Sequence, residues 1–165
     1  MKKIYWGVIG TAGIAKGCTI PGMKQAEYCY LYAIAGRSME KAKAYQAEFG
    51  FEVAYDSYDA LLADPKVEAV YIPLPNELHY EWTLKALKAK KHVLCEKPLA
   101  PTPAQIEEMF ACAKENGVIL MEAYAYLHSQ IQLHRPHRRK NAWHHKHLHV
   151  LHGAESSVHG HLCRF

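Results

Sequence analysis

An apolar run, Ile4–Ile9, leads directly into the segment Gly10-Thr11-Ala12-Gly13-Ile14-Ala15. A strand that passes through a glycine turn into a helix is the phosphate-binding start of a dinucleotide fold, because the helix N-terminus presents free backbone N–H groups to an anion. Gly10 supplies the tight turn, whereas Ala12 and Ala15 replace the second and third glycines of the strict fingerprint. The segment is therefore a weakened motif, and an ordinary strand–helix turn built of small residues stays open as the alternative.

Strand-like runs recur along the chain, with helical patterns between them. The further runs lie at 31–35, 69–72, 92–95 and 119–123, with a weaker one at 52–54. Four residues are placed to cap the helices, and two glycines to stop them: Ser38, Ser57, Asn76 and Thr102, with Gly50 and Gly117. Strands that alternate with helices in this way predict right-handed βαβ units. We therefore predict an α/β fold with a doubly wound, mostly parallel sheet over residues 1–129.

The end of the second strand favours one dinucleotide over the other. An NAD-binding protein usually carries an acidic residue there for the ribose 2′-hydroxyl, but this chain has Gly36-Arg37-Ser38. Arg37 can pair with a 2′-phosphate, and Ser38 can add a hydrogen bond. The alternative is a solvated Arg37 and a Ser38 that only caps its helix. We predict NADP as the cofactor in preference to NAD.

Five segments together resemble the N-terminal half of the Gfo/Idh/MocA oxidoreductases, over roughly residues 3–129. They are Gly7 to Ala15, Ala35 to Ser38, Tyr71 to Asn76 with His79, Glu96 to Ala100, and Met121 to Ala123. The resemblance implies a Rossmann domain that binds NAD(P), followed by a second α/β domain. It also implies oxidation or reduction of a hydroxyl or carbonyl carbon on a sugar, a polyol or a related compound.

The same resemblance implies which residues form the site. Lys97 would lie near the nicotinamide and the reacting oxygen, and Glu96 would orient it or bind the nicotinamide ribose; the alternative is a surface ion pair. The cofactor-binding residues would be Gly10, Thr11, Ala12, Gly13, Ile14, Arg37, Ser38, Pro73, Leu74, Asn76, His79, Glu96 and Lys97. A lone histidine such as His79 is more often a packing or capping residue than a catalyst. The Lys97–Pro98 bond is predicted to be cis.

Composition limits the class of protein. The chain has 165 residues, which suits one domain, and it contains no apolar run long enough to span a membrane. Met1-Lys2-Lys3 runs straight into a strand-like segment, so we expect no secretory leader and a cytoplasmic protein. The five cysteines are odd in number and show no CxxC pair, which favours reduced and mostly buried thiols.

The composition changes abruptly near Ser129. Residues 1–129 hold 14 Lys and Arg against 15 Asp and Glu, whereas residues 130–165 hold six against one, together with most of the 12 histidines. Three interpretations of this tail stay open: an out-of-frame end, a His-rich metal-binding segment and a basic segment for nucleic acid. We favour the first, and we expect an irregular tail, no fixed metal site and no nucleic-acid partner.

The sequence therefore predicts an NADP(H)-dependent oxidoreductase whose substrate is a small sugar-like or polyol-like molecule. The tail is too short for the second domain that the resemblance implies, so we expect this chain to be truncated and catalytically weak. A dinucleotide-binding module without catalysis is the competing interpretation. We also allow for a homo-oligomer.

Overall fold

The computed structural model describes residues 2–124. Six strands form one sheet: β1 (Ile4–Ile9), β2 (Cys29–Ala35), β3 (Val53–Tyr55), β4 (Ala69–Ile72), β5 (His92–Glu96) and β6 (Leu120–Ala123). Every pair of neighbouring strands is parallel, in the order β3-β2-β1-β4-β5-β6. The predicted doubly wound α/β fold is therefore confirmed, and the order of the strands reverses between β1 and β4.

Helices connect the strands. After β1, the helical run 13–25 contains a π-helical segment, Ala15–Thr19, followed by α1 (Ile20–Gln25). The other helices are α2 (Met39–Phe49), α3 (Tyr58–Ala63), α4 (Asn76–Lys88) and α5 (Pro103–Asn116). The central strand β4 is buried throughout, as expected for a parallel sheet that helices cover on both faces.

Most of the predicted helix ends are confirmed. The side chains of Ser38, Ser57 and Thr102 each accept a hydrogen bond from the backbone N–H three residues later. Gly50 and Gly117 follow α2 and α5 in the left-handed conformation, which favours glycine.

The prediction for Asn76 is wrong. Pro75 occupies the N-cap position with an extended backbone, and Asn76 is the first residue of α4, with no side-chain cap. The proline ring fixes φ, which is −56° here, whereas the ψ of 146° keeps the chain extended through Pro75, so it turns helical only after this residue. The strands also differ from expectation at their ends, since β2 begins at Cys29, β3 spans Val53–Tyr55 and β6 begins at Leu120.

One compact unit comprises Met1–Ala123. The predicted domain end at residue 129 and the predicted irregular tail, 130–165, lie outside the described residues. Among residues 2–124 all four cysteines are free, and Cys29, Cys95 and Cys112 are buried whereas Cys18 is exposed. No helix in this described part is both long and apolar enough to cross a membrane.

Candidate cofactor site

The turn after β1 is built around Gly10. Its N–H donates to the carbonyl of Ala35 at 2.8 Å, and its φ is +113°. A Cβ at this position would lie 2.9 Å from Cδ2 of Leu74. The backbone conformation therefore favours glycine, and an added Cβ would also have to displace the Leu74 side chain.

The rest of the turn is held by a side chain of α2. The hydroxyl of Tyr45 donates to the carbonyl oxygens of Thr11 and Ala12, at 3.2 and 3.3 Å. Apart from its chain neighbours and its own helix, no described atom lies within 4 Å of the position that a Cβ on Gly13 would take, and Ile14 is 51% exposed. The first N–H groups of a helix lack partners within the helix, so this end of the run 13–25 can receive an anion.

Arg37 and Ser38 follow β2 next to the glycine turn. A Cβ on Gly36 would lie 3.4 Å from Cγ2 of Thr11, so the two turns are in close contact. Arg37 is exposed at this edge, whereas Ser38 uses its hydroxyl to cap α2. Arg37 and Ser38 thus lie together beside the glycine turn, but the Ser38 hydroxyl already accepts a hydrogen bond from the backbone of α2.

His79 lies behind the turns that follow β4 and β5. Its side chain is fully buried, and its Nδ1 and Nε2 each lie 2.7 Å from a carbonyl oxygen, those of Pro98 and Leu74. Because a carbonyl oxygen only accepts, the ring nitrogen that carries the proton donates to one of these turns, and the other nitrogen lies against the second. The structure therefore places His79 as a support for the Pro73–Asn76 and Lys97–Pro98 turns.

The turn after β5 carries the Glu-Lys-Pro motif. The Lys97–Pro98 bond is cis, as predicted. Oε1 of Glu96 accepts from the Tyr71 hydroxyl at 2.6 Å, and Oε2 lies 3.3 Å from the Lys97 N–H. Lys97 is exposed, and no residue among 2–124 forms an ion pair with its ammonium.

Two residues that sequence reasoning missed hold Glu96 in place. The Thr19 hydroxyl lies 2.9 Å from the Tyr71 hydroxyl, which in turn donates to Glu96. Burial, and then the hydrogen bond to Glu96, raises the pKa of Tyr71 strongly, so the phenol stays protonated and donates. Thr19 is the last residue of the π-helical segment, and such segments often occur at functional sites, but the sequence carries no signal for one here.

The site therefore gathers the predicted residues at one edge of the sheet. The register pairs Ile9 with Ala35, Ile72 with Cys95, and Glu96 with Ala123, so the strands end side by side. Ligands of open α/β sheets bind at this carboxyl edge, where the strand order reverses. In residues 2–124 no three His, Cys, Asp or Glu side chains cluster closely enough to hold a metal ion.

Known proteins are similar to this chain in sequence and in structure. The chain is 45% identical over 123 residues to a D-xylose 1-dehydrogenase (NADP(+)) from Haloferax volcanii, a match that covers 74% of this chain and 38% of that protein. It is 44% identical over 127 residues to a dTDP-3,4-didehydro-2,6-dideoxy-alpha-D-glucose 3-reductase from Actinomadura kijaniata, covering 77% and 38%. The chain thus spans about two fifths of the length of these relatives.

Solved structures of oxidoreductases also superpose on this chain. A 3-ketoreductase from Actinomadura kijaniata, solved in complex with NADP and TDP-benzene, superposes with a TM-score of 0.77 at 43% identity, covering 80% of this chain and 41% of that one. An NAD-binding oxidoreductase from Klebsiella pneumoniae gives 0.75 at 32% identity, covering 79% and 37%. The sequence model of the Gfo/Idh/MocA oxidoreductase family, NAD-binding Rossmann fold, matches residues 4–124. On this match and these relatives, the chain belongs to the Gfo/Idh/MocA family of oxidoreductases.

Proposed function

We propose that residues 4–124 bind NADP(H) as the cofactor half of an oxidoreductase that acts on a hydroxyl or carbonyl carbon of a sugar, a polyol or a related compound. The observation that carries the proposal is the position of Arg37. Its exposed side chain follows β2 beside the glycine turn, where an NAD-binding protein would carry an acid. A guanidinium at this position suits a 2′-phosphate.

The residues present fit a dinucleotide. The glycine turn has open space beside Gly13 and N–H groups at a helix N-terminus, which suit the pyrophosphate. Arg37 and Ser38 would hold the adenosine side, whereas the Pro73–Asn76 turn, Glu96 and Lys97 would border the nicotinamide. NADP(H) supplies a hydride donor or acceptor when it is bound.

This chain's own residues provide binding and charge stabilisation. Lys97 would donate a hydrogen bond from its ammonium to the reacting oxygen and stabilise negative charge there. Glu96 is already held by Tyr71 and would keep its carboxylate fixed beside Lys97. His79 would act through the turns that it joins rather than by direct contact, because its side chain is fully buried.

The sugar-like substrate is proposed from two relatives. One is named for D-xylose and the other for a deoxyglucose nucleotide, and both act on a hydroxyl or carbonyl carbon of a sugar. The exposed ammonium of Lys97 is compatible with such an oxygen. That the whole protein acts on a sugar-like substrate is part of this proposal.

Gly10→Ala tests whether the glycine turn holds the cofactor. An added Cβ meets Leu74 and a backbone conformation that strains an L-residue by roughly 1–2 kcal/mol, so the turn must shift. We expect the NADPH affinity to fall about tenfold or more, measured by the fluorescence of bound NADPH.

Gly22→Ala is the matched control. Apart from its chain neighbours and its own helix, no atom of the described residues lies within 4 Å of its added Cβ, and Gly22 lies in α1 rather than in the turn. We expect it to bind NADPH as the natural chain does. A natural chain that fails to bind NADPH, or a folded Gly10→Ala variant with unchanged affinity, would contradict the proposal.

A further inference from the structure

Tyr58 is held at the start of α3 with its ring fixed. Ser57 caps the helix by accepting from the Ala60 N–H at 3.4 Å, and Tyr58 follows as the first helical residue. The Tyr58 ring packs edge-on against Trp82 of α4, with the ring centroids 4.9 Å apart and the planes at 90°. The helix start and the aromatic contact together restrict where the hydroxyl can lie.

The Tyr58 hydroxyl lies at the carboxyl end of β1. It is 4.0 Å from the position that a Cβ on Gly10 would take, and the Leu74 side chain borders the same position. Gly10 ends β1 and Leu74 follows β4, so the hydroxyl stands where the strand order reverses. A dinucleotide that passes close to Gly10 therefore passes the Tyr58 hydroxyl.

The charge of Arg37 acts on the same hydroxyl. Burial raises the pKa of the Tyr58 phenol, and the charge of Arg37 works in the opposite direction. The phenol therefore stays protonated at neutral pH, as a donor beside a cation. Among the side-chain hydrogen bonds within residues 2–124, none involves the Tyr58 hydroxyl, whereas those of Tyr45, Tyr55 and Tyr71 are all engaged.

From this placement we propose that Tyr58 is a specificity residue that donates a hydrogen bond to the 2′-phosphate of the adenosine ribose, opposite Arg37. The inference rests on the proposed NADP(H) function and adds a residue to it. A phosphate monoester offers only acceptors once ionised, so a neutral donor and a guanidinium can contact it together without competing. The adenosine of NAD carries a hydroxyl at this position, which gains much less from a cation and a donor.

Tyr58→Phe is the direct test, because it removes the hydroxyl and keeps the ring against Trp82. We expect the affinity for NADPH and for the fragment 2′,5′-ADP to fall about tenfold, and that for NADH and 5′-AMP to change less than twofold. Calorimetric titration of the full chain measures all four constants. Far-UV circular dichroism checks that the variant is folded.

Tyr30→Phe is the matched control. Its hydroxyl contacts the exposed Glu52 near the opposite end of the sheet, so the four affinities should stay at their natural values. In the Arg37→Ala background, Tyr58→Phe should cost less NADPH affinity, since both side chains hold one phosphate.

The results separate the two proposals. If the natural chain binds NADPH and 2′,5′-ADP but Tyr58→Phe leaves both affinities unchanged, or lowers NADPH and NADH equally, the assignment of Tyr58 is wrong and the proposed function stands. A natural chain that binds neither compound overturns both.

Discussion

At the scale of single residues, Tyr71 connects two parts of the site. It is wholly buried in β4, its hydroxyl donates to Glu96, and the Thr19 hydroxyl completes its hydrogen bonding. The helix after the glycine turn is thereby linked to the Glu-Lys-Pro motif through one phenol. A hydrogen bond to a charged group contributes about 1.5–3 kcal/mol, more than a neutral one.

Tyr71→Phe tests this link. We expect the free energy of unfolding to fall by about 1.5–3 kcal/mol, because Glu96 loses the donor on its carboxylate. Urea denaturation measures the change. Tyr30→Phe removes a similar bond to an exposed carboxylate, that of Glu52, and should cost less than about 0.5 kcal/mol. Equal losses of unfolding free energy in the two variants would show that the buried hydrogen bond of Tyr71 contributes no more than the exposed one of Tyr30.

Sequence reasoning found the residues whose type and position carry the signal. Gly10, Arg37 and Lys97 each follow a strand and Glu96 ends one, where a dinucleotide fold needs a glycine or a charge, and the structure places all four at one edge. Tyr45 and Tyr71 were missed because an aromatic residue within a helix or a strand predicts packing first. Their hydroxyl contacts depend on neighbours 25 to 34 residues away in the chain.

At the scale of elements, His92 ties β5 to the start of β6. Its Nδ1 accepts a hydrogen bond from the Ile119 N–H at 3.0 Å. Burial lowers the pKa of His92, and the nearby Glu68 offsets this in part. The imidazole is therefore neutral in the folded chain at pH 7, as the acceptor role requires.

The lowered pKa of His92 determines how the stability of the folded chain changes with pH. The folded state resists protonation more than the unfolded state, so the contribution to stability is complete above about pH 6.5 and is lost as the pH falls through the folded-state value. His92→Asn keeps an acceptor and does not titrate. We expect the stability of the natural chain, relative to this variant, to be lower at pH 5 than at pH 7.5.

Denaturant titrations at the two pH values measure this difference. The other histidines are present in both proteins, so their titration cancels. A difference that is the same at pH 5 and pH 7.5, or that grows at pH 5, would contradict the assignment of His92 as a buried neutral acceptor.

Element types were easier to predict than element ends. The strands and helices of residues 4–123 follow from apolar runs and caps, but the exact start of α4 depended on Pro75 and not on the capping preference of Asn76. The π-helical segment Ala15–Thr19 was not predictable, because one extra residue in a helical turn leaves no compositional mark.

At the scale of the whole molecule, the described part is a cofactor-binding domain of a known family. The family match covers residues 4–124, and the relatives are about twice as long as this chain. The fold followed from the regular alternation of strands and helices. The substrate did not follow, because the sequence offered only Glu96 and Lys97 as residues predicted to act on it.

The central claim is that this domain prefers NADP(H) to NAD(H) through Arg37. Calorimetric titration of NADPH and NADH into the natural chain, Arg37→Ala and the control Lys114→Ala tests it most directly. We expect the natural chain and the control, whose change lies in the last turn of α5, to bind NADPH about 10- to 100-fold more tightly, and Arg37→Ala to lose most of this ratio. Equal affinities in the natural chain, or an unchanged ratio in Arg37→Ala, would contradict the account.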